Sequence, residues 1–181
     1  MKKDLSVAHL AEPPAPLPHG IVVMGVCGTG KSTIGIQLAD TLDWTYADAD
    51  DFHPAPNVAK MRAGTPLNDE DRAPWLATLH DHLRDHPHTV LACSALKARY
   101  REILRAAAPE IRFIFLQGDR DLLASRLGSR AGHYMPDSLL DSQLAALETP
   151  SVTEAIWCDI ALPPSVIVAA ARATLIAPKS P

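Results

Sequence analysis

"GVCGTGKST", residues 25–33, stands between the apolar run "IVVM" at 21–24 and a helix-like stretch that reaches Leu42. Gly25, Gly30, Lys31 and Ser32 fit the pattern G-x-x-x-x-G-K-[ST], whose chance occurrence at ordinary residue frequencies is below roughly one per cent over a chain of this size. Between a strand and a helix, glycines at these spacings let successive backbone N–H groups turn inward around a phosphate. The positive end of the following helix adds to the field. The expected triphosphate cradle is therefore Gly25, Val26, Cys27, Gly28, Thr29 and Gly30, with Thr33 in the first helical turn. Lys31 should bridge the β- and γ-phosphates of a nucleoside triphosphate, and the Ser32 hydroxyl should ligate Mg²⁺.

Working outward, "IVVMGV" is the continuous apolar run of a strand covered on both faces, which places it centrally in a sheet. After the helix from Lys31 to Leu42 comes the extended "WTYADAD", then a helix from about Asp71 through "PWLATLHDHLRD". "HTVLACSAL" reads as strand, "KARYREILRAA" as helix, "IRFIFLQG" as strand, and "DRDLLASRLGSR" and "PDSLLDSQLAALE" as helices. "AIWCDI" and "SVIVAAARATLI" supply a last strand and helix. Alternation of strand and helix without an internal repeat predicts an α/β fold, a parallel sheet with helices on both faces. Ligands of such sheets lie beyond the carboxyl ends of the strands.

With 181 residues the chain suits one domain, expected over 20–177 behind a proline-rich lead-in at 1–19 that contains "AEPPAPLPH". A formal net charge of −4 provides no basic field for nucleic acid or a membrane surface, so the expected partner is a small molecule. Cys27, Cys93 and Cys158 are too scattered for a zinc site or disulfide framework, and no apolar stretch is long enough to span a bilayer. The cytoplasm is the expected location.

Along an extended "WTYADAD", Asp48 and Asp50 would share a strand face about 7 Å apart. That suits one carboxylate holding a magnesium-bound water and the other accepting a proton from an attacking hydroxyl. Cys93 and Ser94 end the third strand, where many phosphate-loop proteins carry an acid, so the metal-supporting role shifts to Asp48 or Asp50. The polar segment at 51–76 holds His53, Asn57, Lys60, Arg62, Asp69, Arg72 and Trp75. Lys97, Arg101 and Arg105 recur at i, i+4 and i+8, a solvated helix face opposite Leu96, Tyr100, Ile103 and Leu104; Lys97, nearest the strand end, is the one expected to reach a ligand. Arg126 and Arg130 share a helix face before "AGHYMP", the pattern of a phosphate-covering lid.

Together "MGVCGTGKST", "DADDFHP", Asn57, "KM" at 60–61, "G-x-PLND-x-DR-x-PWL" from Gly64, "CSALK" from Cys93, "YR" at 100–101, "RL-x-x-R-x-GH" from Arg126 and "LLDSQLAALE-x-P" from Leu139 resemble the gluconokinase family, from about Gly20 to Pro150. "PLND-x-DR-x-PWL" and "CSALK" discriminate far better than the phosphate loop, which marks only a superfamily. The resemblance implies a P-loop kinase fold with a lid, like nucleoside monophosphate kinases and shikimate kinase. It also implies ATP-dependent phosphorylation of D-gluconate to 6-phospho-D-gluconate, with a homodimer as the usual assembly. Cys27 departs from the common serine of the loop, and Tyr134 from the common phenylalanine after the lid residue His133.

On that reading Lys31, Asp50, Arg126 and Arg130 are the catalytic set, with Asp48 and Ser32 at the metal. His53, Lys60, Arg62, Arg72, Lys97, Arg101 and His133 join Asp50 around the sugar acid, whose carboxylate needs a cation when buried. A related kinase acting on shikimate or a nucleotide would share the loop and lid arginines but leaves "PLND-x-DR-x-PWL" without a purpose. A GTPase-like switch would need an N-K-x-D guanine-reading pattern, which is missing.

Overall fold

The computed structural model describes residues 17–128 and 137–177. Five parallel strands form one sheet in the order β2-β3-β1-β4-β5. They are β1 (Gly20–Met24), β2 (Thr45–Asp48), β3 (Thr89–Ala92), β4 (Ile111–Gln117) and β5 (Ile156–Asp159). The helices are α1 (Lys31–Leu42), α2 (Ala55–Arg62), α3 (Asp69–Asp85), α4 (Ala98–Arg105), α5 (Arg120–Gly128), α6 (Asp137–Ala146) and α7 (Pro164–Ile176).

β1 is buried along its whole length, as its unbroken apolar run requires. Its alternate side chains serve two cores. Ile21 and Val23 pack with Ile34 and Leu38 of α1 and Ile167 and Ala171 of α7. Val22 and Met24 pack with Leu76 and Leu79 of α3 and Leu104 of α4. Helices thus cover both faces, and β1 lies between β3 and β4 as the sequence pattern requires.

Three local expectations need correction. The extended run through Asp50 does not persist: β2 stops at Asp48, whose carboxylate accepts the Asp50 N–H at 3.1 Å and caps a 3₁₀ turn over Ala49–Phe52. Asp50 sits on that turn, not on a shared strand face. The polar segment contains α2, which apolar periodicity misses because Asn57 is its only buried residue and prolines crowd its start. Helix α3 begins two residues before Asp71, because Asn68 and Asp71 form a reciprocal capping box.

Of the expected lead-in, residues 1–16 lie outside the described residues. His19, at its end, already donates its backbone N–H to the Glu110 carbonyl at 3.1 Å.

Candidate active site

The phosphate loop leaves β1 through Gly25, whose φ of 148° and tight quarters both demand glycine: a Cβ there would stand 2.7 Å from the Leu116 carbonyl oxygen. The loop closes on itself. The Thr29 hydroxyl donates to the Val26 carbonyl at 2.8 Å, and the Lys31 ammonium folds back onto the same oxygen at 3.0 Å. Burial draws the Lys31 pKa below its ordinary value, while the Asp50 and Asp48 carboxylates oppose that fall. Lys31 thus lies within electrostatic reach of both aspartates. The Cys27 N–H donates to Gln143 Oε1 of α6 at 2.7 Å.

At the start of α1 the Ser32 hydroxyl donates to Asp48 Oδ2 at 3.3 Å, and the Tyr46 hydroxyl donates to the same oxygen at 3.0 Å. Burial and the Asp48 charge push the Tyr46 phenol up to about 12, so it stays protonated and remains a donor. A hydroxyl and a carboxylate side by side are all-oxygen donors, the chemistry of a hard cation such as Mg²⁺. Among the described residues no group of three or more His, Cys, Asp or Glu could hold a metal ion. The Ser32–Asp48 pair itself supplies two oxygen ligands, which suits an ion that brings phosphate oxygens and water with it.

Beyond Asp48 the wall changes character. The His53 ring stacks on Trp75 with centroids 4.5 Å apart and planes 9° from parallel, and its Nε2 lies 4.0 Å from Asp50 Oδ1. Trp75 is fixed by donation from its indole N–H to the Ala49 carbonyl at 2.7 Å. Buried Asn57 donates to the Asp71 carbonyl at 2.7 Å, joining α2 to the start of α3. Desolvation in the cleft and the Asp48 charge raise the Asp50 pKa, while His53 and Lys31 pull it down. The Asp50 side chain remains 88% exposed, so solvent screens much of that shift. Desolvation lowers the His53 pKa, which favours a neutral ring at neutral pH.

The cations expected around a sugar acid divide by their present partners. Lys60 is held by Asp71 at 2.5 Å, and the Arg72 guanidinium donates to the carbonyls of Leu67 and Asn68. Lys97, Arg99 and Tyr100 converge on the Asp69 carboxylate, with Lys97 at 3.1 Å. Exposed Arg62, at the end of α2, makes no ion pair among the described residues. Arg101 needs correction. It is only 1% exposed, pairs with Glu154 and caps the Ala95 and Leu96 carbonyls, so its charge is spent inside the protein rather than offered to a ligand. Tyr100 and Leu104 are buried and Arg105 is exposed as expected, but Arg101 is buried and Ile103 exposed, against the assigned faces. Arg126, in the last turn of α5, donates to the Ile160 carbonyl at 2.6 Å. Arg130 and His133 lie outside the described residues.

This geometry can be set against known proteins. A family model described as shikimate kinase matches residues 27–152. The chain is 50% identical over 143 residues to a gluconokinase of Gluconobacter oxydans, covering 77% of this chain and 80% of that one. The chain belongs to the gluconokinase family. The thermosensitive gluconokinase of Escherichia coli is 44% identical over 140 residues, with 75% of each chain covered. A crystal structure of a gluconokinase from Sinorhizobium meliloti superposes with a TM-score of 0.82 at 43% identity, over 88% of this chain and 92% of that one. Shikimate kinase of Aquifex aeolicus, at 16% identity and a TM-score of 0.58, shares the fold alone. The gluconokinase-family fold therefore sets the phosphate loop beside the β2 carboxyl end, where Asp48 and Asp50 stand.

Gln143 is the site-lining residue that residue-by-residue reading misses. It lies in "LLDSQLAALE", more than a hundred positions from the loop, and no local pattern joins it to Cys27. Trp75 and Asn57 carry a weak local signal, since they flank a capping box inside an otherwise polar stretch.

Proposed function

We propose that this chain, as one catalytic domain over 20–177, transfers the γ-phosphoryl group of ATP to the C6 hydroxyl of D-gluconate, giving 6-phospho-D-gluconate and ADP. The observation that carries the reading is the meeting of the Lys31 loop, the Ser32–Asp48 oxygen pair and Asp50 beside the His53–Trp75 stack. It is joined by identity to gluconokinases across three quarters of the chain.

Asp50 takes the proton of the C6 hydroxyl as that oxygen forms its bond to the γ-phosphorus, and the bond to the ADP oxygen breaks on the opposite side. Lys31 must leave the Val26 carbonyl to meet the β- and γ-phosphates, trading a neutral acceptor for a charged one. Ser32 and Asp48 would hold Mg²⁺, which supplies charge neutralisation on the phosphates when bound. Arg126, with Arg130 beyond the described residues, is assigned to the transferring group. His53 presents a neutral ring to a substrate hydroxyl, and Lys60, Arg62, Arg72 and Lys97 form the basic surround for the carboxylate.

The reading extends to a cytoplasmic enzyme working as a homodimer, which sedimentation at micromolar concentration tests. No helix among the described residues is long and apolar enough to cross a membrane. A coupled ADP-release assay with ATP across gluconate, glucose, shikimate, AMP and adenylyl sulfate tests the substrate. Turnover with gluconate is expected to exceed the others by orders of magnitude, and turnover with AMP or shikimate but none with gluconate would overturn the reading.

A further inference from the structure

We propose that Gln143 is a positioning residue for phosphoryl transfer, holding the phosphate loop from behind by keeping the Cys27 N–H on its side-chain oxygen both with and without nucleotide. The inference rests on the kinase reading above and assigns Cys27 a role in which its N–H is not a phosphate donor.

The loop has two sides. On one, the Ser32 hydroxyl meets Asp48 at the end of β2. The other is covered by α5 and α6: a Cβ at Gly28 would stand 3.1 Å from Leu127 Cγ and 3.3 Å from the Leu123 carbonyl. Gln143 reaches Cys27 from α6, and Leu144 and Leu147, on and just past the same helix, pack against the core that α1 and β1 share. The 2.7 Å bond thus comes from a helix that packs, with α5, against the core beside the loop.

Beside the loop lies a half-open pocket of about 140 Å³, lined by Val26, Thr29, Gln117, Gly118, Leu144 and Leu147. Apolar contacts along such an open pocket do not by themselves aim the loop's amides. A directional hydrogen bond from a helix does, and it sets where the next amides, from Gly28 onward, point. Phosphate recognition by backbone N–H groups depends on that aim, since misplacement by about 1 Å can cost about a hundredfold in rate.

The test uses the full chain, isotopically labelled, with amide exchange of Cys27 followed by NMR in the free protein and with MgADP. Protection of the Cys27 amide is expected in both states, and its loss on adding MgADP would show a placeholder that leaves when phosphate arrives, overturning the proposal. Gln143→Met keeps length and packing but removes the acceptor; it should abolish the protection and lower kcat with ATP by about tenfold or more. The KM for gluconate and the melting temperature should stay close to those of the parent. Gln143→Glu keeps an acceptor oxygen at the same reach and should restore kcat to within about threefold.

Unchanged kinetics in Gln143→Met would overturn the proposal. So would a parallel fall in kcat, gluconate affinity and melting temperature that Gln143→Glu does not rescue, because that is a purely structural role. Amide protection and MgADP binding read the bond without any acceptor substrate, so a chain that proved inactive on gluconate would fail the substrate reading and leave this test standing.

Discussion

Arg101 and Glu154 form a two-pronged ion pair, Nε to Oε1 at 2.6 Å and Nη2 to Oε2 at 3.3 Å, between α4 and the segment leading into β5. The remaining guanidinium nitrogen donates to the carbonyls of Ala95 at 3.2 Å and Leu96 at 3.1 Å. Ala95 has a φ of 44°, a left-handed conformation that a non-glycine residue holds only at a cost, and it is buried. Glu154 therefore holds the cation that holds the loop between β3 and α4. That loop carries Ser94, whose carbonyl accepts the Gly25 N–H at 3.4 Å, and it ends at Lys97.

Glu154→Gln should destabilise the protein by about 3 kcal/mol, the order expected when one partner of a largely buried ion pair is neutralised. The Arg101 hydrogen bonds hold the Glu154 pKa below its ordinary value of 4.5. A depressed carboxylate pKa contributes stability that is present above the unfolded value and lost as pH falls through the folded one. The gap between parent and Glu154→Gln should thus be constant near neutrality and close progressively below pH 4.5. Urea unfolding between pH 3 and pH 7 (roughly the span over which an acid-linked contribution is lost) measures it, and a gap independent of pH would contradict this account.

Asp48 accepts from both Ser32 and Tyr46, so its roles as turn cap and as magnesium partner are joined in one side chain. Asp48→Asn keeps the shape but loses the charge, and should raise the magnesium concentration needed for half-maximal rate by about tenfold or more while leaving turnover at saturating magnesium within a fewfold. Tyr46→Phe removes one of the two hydroxyl donors and should give a smaller shift in the same direction. Rates measured over a magnesium titration separate the two, and unchanged magnesium dependence in Asp48→Asn would move the metal role elsewhere.

The order of strands and helices, α2 apart, could be read from the chain because each core strand is a short apolar run and the other helices carry their own period. β1 needed nothing beyond its five residues and the glycine loop behind it. What could not be read are features made by distant partners or by polar geometry. Arg101 has the spacing of a surface residue, and Glu154, fifty-three positions on, together with the Ala95 and Leu96 carbonyls turns it inward. Asp50 follows an alternating pattern that predicts strand, yet the Asp48 side chain offers its backbone a nearer acceptor, and the local bond wins over the extended ladder. α2 buries too little apolar surface to announce itself. The Gln143–Cys27 bond joins residues more than a hundred positions apart.

Lys97 tests the acceptor side. Its ammonium rests on Asp69 at 3.1 Å, a half-exposed ion pair of the kind worth less than about 1 kcal/mol, so an incoming carboxylate can compete for it. Lys97→Met should raise the KM for gluconate by about tenfold, with the KM for ATP unchanged. Arg62→Met offers the comparison, since Arg62 is the exposed alternative on α2. Initial rates with each substrate varied in turn show which cation meets the carboxylate, and no change in either variant would leave Lys60 or Arg72 as its partner.

Asp50 decides the chemistry. A general base works only when deprotonated, so turnover should fall as pH drops through the Asp50 pKa. Cleft desolvation and the Asp48 charge place that pKa above the ordinary 3.8. His53 acts in the opposite sense: once protonated at low pH, its positive charge 4.0 Å away favours the Asp50 carboxylate and limits the rise. The acid limb of kcat against pH should therefore lie above 3.8 and shift upward in His53→Asn, which removes that cation. Asp50→Asn should lose on the order of a hundredfold or more in kcat and show no acid limb from this position, with ATP affinity nearly unchanged. Stopped assays from pH 4 to pH 8 (roughly the range in which a shifted carboxylate titrates), paired with MgATP binding by calorimetry, give all three quantities. Normal turnover in Asp50→Asn together with lost turnover in Asp48→Asn at saturating magnesium would exchange the two assignments, making the turn cap the base.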